Sequence, residues 1–161
     1  MASTKPYEQR TDLEKVQSQW HKLSGLHTRE EWSAAIVRAA TAAELAATFV
    51  IRAEFAARSQ FNAAFVNSRL RWANGLAGKL EKLLIPLTEQ DKPKLEAIRA
   101  LRSAAEEINR RRNAIAHQGE FCNGTEATEI IAKARGFITT LVRLYEPAFE
   151  LKERKERKTE S

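Results

Sequence analysis

Apolar residues recur at helical spacing along most of this chain, and little interrupts them: its 161 residues include only 6 glycines and 4 prolines. Those two residues are the usual punctuation of short strands and tight turns. So sparsely punctuated a chain is expected to fold into a few long helices. Alanine, the best helix former, is abundant, and no segment reads convincingly as a strand.

The first helix begins near Pro6 or at Thr11, where Thr11-x-x-Glu14 has the form of a capping box. Leu13, Val16, Trp20 and Leu23 follow at helical spacing, and Gly25 supplies a stop. A second box, Thr28-x-x-Glu31, opens a long helix to about Arg58 with the stripe Val37, Ala40, Ala47, Ile51 and Phe55. A third helix, about Gln60 to Ile85, carries Phe61, Phe65, Trp72, Leu76, Leu80 and Leu83. Pro86 and Pro93 bracket the next loop, since neither fits cheaply inside a helix. A fourth helix begins near Pro93, shows Leu95, Ile98, Leu101, Ala105, Ile108 and Ile115, and ends near Gly119. A fifth follows the loop Glu120 to Gly124 with Ile130, Ala134, Phe137, Leu141, Leu144 and Phe149, Pro147 bending its end. About five amphipathic segments joined by short loops make an all-α helical bundle. The expected division is an N-terminal helical extension over residues 1–27, the bundle over 28–150 and a frayed, charged tail over 151–161.

At 18.2 kDa and 43% apolar residues, the chain can bury one core but not two. Cys122 is the only cysteine, so no internal disulfide forms, which fits a reducing compartment. The opening residues Met-Ala-Ser-Thr-Lys-Pro-Tyr-Glu lack the apolar stretch of a secretion signal. No apolar run is expected to reach the ~18 residues that span a bilayer, the longest, Ala39 to Ile51, being broken by Glu44. A cytoplasmic location with no membrane partner is the expectation. The net charge of +6 permits nucleic acid as a partner without requiring it.

The sequence has no glycine-rich phosphate loop, no paired-cysteine metal site and no His-Glu-x-x-His helix. His21, His27 and His117 are too scattered for a metal cluster, so neither metal nor cofactor is expected. Cys122 reads as a small structural or incidental thiol rather than a nucleophile. Trp20, Trp32 and Trp72 are expected in the core or an interface rather than as platforms for bases, and Gly75 and Gly78 are expected to let helices approach.

The segment from Arg110 to Gly119 differs. The stripe Ile98, Leu101, Ala105, Ile108 arrives next at Arg112, and an interior-facing guanidinium requires an acceptor or a cavity. The stripe of the second helix places Glu44 on its own inward face, where a carboxylate also needs a partner. Glu44 and Arg112 are therefore expected to meet or jointly to line a pocket. Asn109, Asn113 and His117, spaced i, i+4, i+8, form a polar row beside Arg112.

Arg112-Asn113-x-x-x-His117 near the end of a late helix resembles the motif of the HEPN superfamily, an Arg, usually a polar residue, and a His four to six positions beyond the Arg. Ala35-Ile36-Val37 through Ala43-Glu44-Leu45 resembles that family's early helix, and the likeness covers roughly residues 30 to 147. It implies a HEPN-like bundle acting as a metal-independent endoribonuclease, often a toxin or host-defence effector, and a homodimer whose two motifs face one cleft. On that likeness Arg112 and His117 are catalytic, with Asn113 and Glu44 in support; the adjacent Arg110, Arg111 and Asn109 are expected to contact RNA. A cognate antitoxin or regulator is implied as well. Members paired with a nucleotidyltransferase antitoxin often carry Tyr two residues after the His, where this chain has Gly119, which argues against that class.

The chemistry is sound without the family name. RNA carries its own nucleophile, so cleavage needs one group to take the 2′-hydroxyl proton, and imidazole titrates near neutrality. A guanidinium clamps phosphate oxygens as charge gathers on them. Two plainer readings stand beside this one. The first is a non-catalytic RNA- or nucleotide-binding module. The second is a helical interaction protein in which Arg110, Arg111, Arg112 and His117 merely complement the dipole at a helix end capped by Gly119.

Overall fold

Alanine decides how closely these helices meet. In the computed structural model, which describes residues 5–58 and 62–153, the chain is all-α and shows no strand among the described residues. A 3-10 turn at Tyr7–Gln9 leads into α1 (Asp12–Thr28), followed by α2 (Trp32–Arg58) and α3 (Ala63–Trp72). Next, α4 (Gly75–Lys79) runs through a π-helical turn, Leu80–Leu84, into α5 (Ile85–Leu87). The chain then forms α6 (Lys92–Ala100), α7 (Arg102–Gln118) and α8 (Gly124–Arg143).

The second helix is the hub. Its Ala35, Ala39, Ala42, Ala43, Ala46 and Ala47 are fully buried, and these short side chains let neighbours approach its backbone. Against it lie Val16, Trp20 and Leu23 of α1, Ala105 and Ile108 of α7, and Phe137, Ile138, Leu141 and Val142 of α8. The N-terminal helical segment thus shares one core with the bundle. A smaller cluster of Ile36, Ala127 and Ile130, joined by Trp32 and Ile115, sits beside the α7–α8 connection. By length and composition α2 qualifies as a membrane-crossing helix, contrary to the expectation that no run is long enough. Its alanines extend the apolar stretch on both sides of Glu44, and more than half of that stretch is buried inside the protein.

The helix ends follow local chemistry. At the start of α1, Thr11 Oγ1 accepts from the Glu14 amide (3.2 Å) and Glu14 Oε1 from the Thr11 amide (3.5 Å), the reciprocal box expected. Gly25 does not stop α1, because Leu26 beyond it packs on the core and offsets the roughly 1 kcal/mol helix penalty of glycine. The second box does not form. Thr28 is the last residue of α1 and donates to the Ser24 carbonyl (2.9 Å), and the chain turns at Glu30, which takes φ 59°.

The expected third helix is broken after Trp72, at an extended Asn74 and a Gly75 with φ 75°, a left-handed conformation that glycine adopts without strain. Its expected start and Phe61 lie outside the described residues; Leu76, Leu80 and Leu83 are buried, but Phe65 and Trp72 are exposed. The expected fourth helix is interrupted at Leu101, and its second half ends at Gly119 in the left-handed conformation. The fifth starts with Asn123 Oδ1 accepting from the Glu126 amide (2.9 Å) and ends at Arg143, before Pro147 can bend it. Beyond it, Lys152 and Gln17 exchange two hydrogen bonds (2.7 and 2.9 Å), and Trp20 Nε1 donates to Glu153 (3.3 Å). The first three residues of the expected charged tail are therefore docked on α1, and the remainder lies outside the described residues.

Glu54 of α2, only 5% exposed, gathers Lys94 of α6 (3.1 Å), Arg58 and the Tyr145 hydroxyl. Burial alone would raise its pKa, but the hydrogen bonds from Tyr145, Lys94 and Arg58 outweigh burial and hold it below the ordinary value. A depressed carboxylate stabilises the fold above its unfolded pKa and loses that contribution as pH falls through its folded one. Glu54→Gln should cost about 1–3 kcal/mol near neutrality. Urea titrations across pH should show the gap between variant and wild type closing below about pH 4.

Candidate functional site

On α7, Asn109, Asn113 and His117 stand at successive turns of one face with Arg112 beside them. These four residues line a cleft of about 230 Å³, completed by Ala40, Thr41 and Glu44 of α2 and by Asn74, Gly75 and Leu76 at the break before α4. The structure thus brings together Glu44, Asn109, Arg112, Asn113 and His117, which the sequence singled out from two distant helices. Thr41, Asn74 and Gly75 were not foreseen. Gly75 takes its place through conformation and space: besides its positive φ, a Cβ there would stand 3.3 Å from Asn109 Oδ1. The Asn-Gly dipeptide was the available signal, being a common turn former.

Two expectations are corrected here. Arg112 does not face the interior; it is exposed at the cleft, and its Nη1 donates to Asn113 Oδ1 (3.3 Å). The stripe that pointed inward ends at buried Ile108, and Ile115 beyond it is only half-buried. Nor do Glu44 and Arg112 form an ion pair. Glu44 Oε1 instead accepts from Lys79 Nζ (2.8 Å), which also donates to the Ala73 carbonyl (3.3 Å). The Lys79 side chain is 8% exposed, so its ammonium must find acceptors inside the protein, whereas Arg112 reaches solvent. Nothing in the sequence marked Lys79. Of the two arrangements expected for Glu44 and Arg112, the joint lining of a pocket is the one observed.

The neighbouring arginines divide the work. Arg110 is exposed and borders a second cleft of about 590 Å³ that shares Asn109 and Asn113 with the first. Arg111 also borders it, yet its guanidinium is committed to the loop: Nη1 meets Glu120 (2.9 Å) and Nη2 meets Glu126 (2.8 Å) and Cys122 Sγ (2.6 Å). Burial works to lower the Arg111 pKa, but the Cys122 sulfur, Glu126 and Glu120 outweigh it, so the group is held more firmly charged than usual. With the Cys122 amide donating to Ser33 Oγ (3.1 Å), these contacts fasten the α7–α8 loop to α2. His117 stands exposed in the last turn before that loop, and no described residue hydrogen-bonds its imidazole. His27 lies elsewhere, edge-on to Trp32 and 3.4 Å from Thr128 Oγ1. Among the described residues no three His, Cys, Asp or Glu side chains group to hold a metal.

The arrangement offers an exposed guanidinium without an ion pair to a described carboxylate, an exposed imidazole, two amides and a carboxylate tied to a lysine. A double-mutant cycle should assign the coupling. Glu44→Gln leaves the buried Lys79 ammonium with a neutral acceptor in place of its counter-charge and should cost about 1–3 kcal/mol. That cost should be strongly non-additive with Lys79→Met and additive with Arg112→Ala to within about 0.5 kcal/mol. Coupling to Arg112 instead would restore the pairing that the geometry rejects.

Comparison with known proteins found no matching family model, no matching curated protein and no matching solved structure.

Proposed function

We propose that the cleft between α2 and α7 is the active site of a HEPN-type endoribonuclease, which cleaves RNA by attack of the 2′-hydroxyl on the adjacent phosphodiester. The observation that carries the reading is the contrast between neighbouring arginines. Arg111 holds the helix end and its loop through two carboxylates, while Arg112 has no ion pair with a described carboxylate and shares a cleft with exposed His117. A residue serving only to complement the helix dipole would duplicate work already done by Arg111 and by the Gly119 cap.

In this reading Arg112 clamps the non-bridging oxygens, and Asn109 and Asn113 donate amide hydrogens to the same phosphate. His117 accepts the 2′-hydroxyl proton as the 2′-oxygen–phosphorus bond forms and the bond to the 5′-oxygen breaks. The departing 5′-oxygen takes a proton from a second imidazole, supplied by His117 of another copy in a homodimer whose clefts face each other. The products are a 2′,3′-cyclic phosphate and a 5′-hydroxyl, and no metal is needed because the nucleophile belongs to the substrate. Glu44, neutralised by Lys79, shapes the wall without repelling the phosphate. In a cytoplasm, a toxin or defence effector of this type would be held in check by an antitoxin or another regulator.

Purified protein should cleave a mixed RNA pool in EDTA and leave DNA intact. His117→Ala should lower the rate by roughly 10²–10⁴-fold. Arg112→Ala should do likewise, and both variants should keep wild-type stability to within about 0.5 kcal/mol, since both side chains are exposed and no carboxylate depends on either. A wild type inert on every RNA offered, or a His117→Ala variant that cleaves as fast as wild type, contradicts the proposal.

A further inference from the structure

Trp72, expected in the core or an interface rather than as a platform for bases, is 54% exposed at the last position of α3. Two cations stand by its ring, with Arg69 at 5.6 Å and Lys82 at 5.1 Å from the centroid. The surrounding sequence is one-sided: from Phe55 to Leu80 there is no Asp or Glu, and of its four cations Arg58 and Lys79 are paired with Glu54 and Glu44, which leaves Arg69 and Arg71. The exposed Arg69 and Arg71 form no ion pair with a described carboxylate. Arg71 lines a cleft of about 370 Å³ that also includes Asn74, and Asn74 is in turn a wall of the Arg112–His117 cleft. Trp72 lies two residues from Asn74, at most about 7 Å along the chain.

We propose that this end of α3 is the site where a single-stranded RNA is held next to the scissile phosphate, with one unpaired base stacked on the Trp72 indole and adjacent phosphates on Arg71 and Arg69. The choice of RNA as substrate rests on the ribonuclease reading; the preference for an unpaired strand rests on Trp72. Each base has an aromatic face that an exposed indole can cover only when the strand is not duplex, and flanking cations meet the phosphates on either side of that base. A face made only for protein contact gains little from cations standing by its exposed indole, which a second copy of the same patch would repel. The surface therefore selects loops and single strands over helical RNA and places one base of the strand beside the cleft.

The test uses the full chain and a short, labelled, single-stranded oligoribonucleotide with 2′-O-methyl riboses, which cannot be cleaved by 2′-hydroxyl attack. Trp72→Ala and Trp72→Leu should weaken its binding at least about five-fold, and Trp72→Phe should stay close to wild type. Arg71→Ala should lower the slope of log K against log salt by about 0.7. A duplex of the same sequence should bind with little sensitivity to Trp72. Binding of the single strand that is indifferent to Trp72→Ala overturns the inference. So does a pattern in which Trp72→Ala alters only the sedimentation of the protein, which would mark the patch as a contact between copies. Because the probe is not cut, the readout is separate from catalysis. A protein that binds through Trp72 but cleaves nothing would leave this site standing and remove the ribonuclease. Cleavage that ignores Trp72 would do the reverse.

Discussion

Everything in this molecule is arranged around the burial of one alanine-rich helix. Because Ala35, Ala39, Ala42, Ala43, Ala46 and Ala47 project so little, α1, α7 and α8 can all pack close to α2, and larger side chains fill the spaces between. That closeness brings polar groups of α7 within one small cleft of Thr41 and Glu44. A bulkier face on α2 would move α7 outward and separate them. The site is a consequence of core packing, and only its polar residues are additional to that core.

A second constraint acts at the break between α3 and α4. Lys79 is buried, and its ammonium satisfies itself on Glu44 and on the Ala73 carbonyl. These two bonds fasten the break to α2, and Gly75 beside it is placed against Asn109. Three distant segments are thereby locked around one opening, and Glu44, the carboxylate in its wall, is paired with Lys79. Arg111 does the equivalent work at the other end of α7, holding the loop through Glu120, Glu126 and Cys122. With those two clamps in place, Arg112 and His117 stand exposed at the cleft, and neither is tied to a described carboxylate.

Much of this was legible from the residues. Helical periodicity and scarce punctuation gave the all-α bundle, Thr11 and Glu14 marked the start of α1, and Gly119 marked the end of α7. The row Asn109, Asn113, His117 was readable because residues four apart share a helix face, and Glu44 because a charge in an apolar stripe must be answered somewhere. The answer itself was not readable. Lys79 sits in a short helix whose orientation depends on a tertiary break, so its burial left no trace in local pattern. For the same reason Trp72 reads as part of the stripe, although α3 buries Val66 and Leu70 instead, and the partners of Glu54, spread from Arg58 to Tyr145, meet only in the folded chain. Arg112 misled in a simpler way, since a stripe does not say where the core beneath it ends.

The chemistry assigned to the cleft has a signature in the ends it leaves. Mass spectrometry of the fragments released from a defined RNA should find a 2′,3′-cyclic phosphate on one side of each cut and a 5′-hydroxyl on the other. A single 2′-deoxy substitution at the cut position should abolish that cut while leaving others unchanged. Fragments bearing a 5′-phosphate and a 3′-hydroxyl, or cleavage that survives the 2′-deoxy substitution, would mean that the 2′-oxygen is not the nucleophile and that the cleft of Arg112 and His117 has been misread.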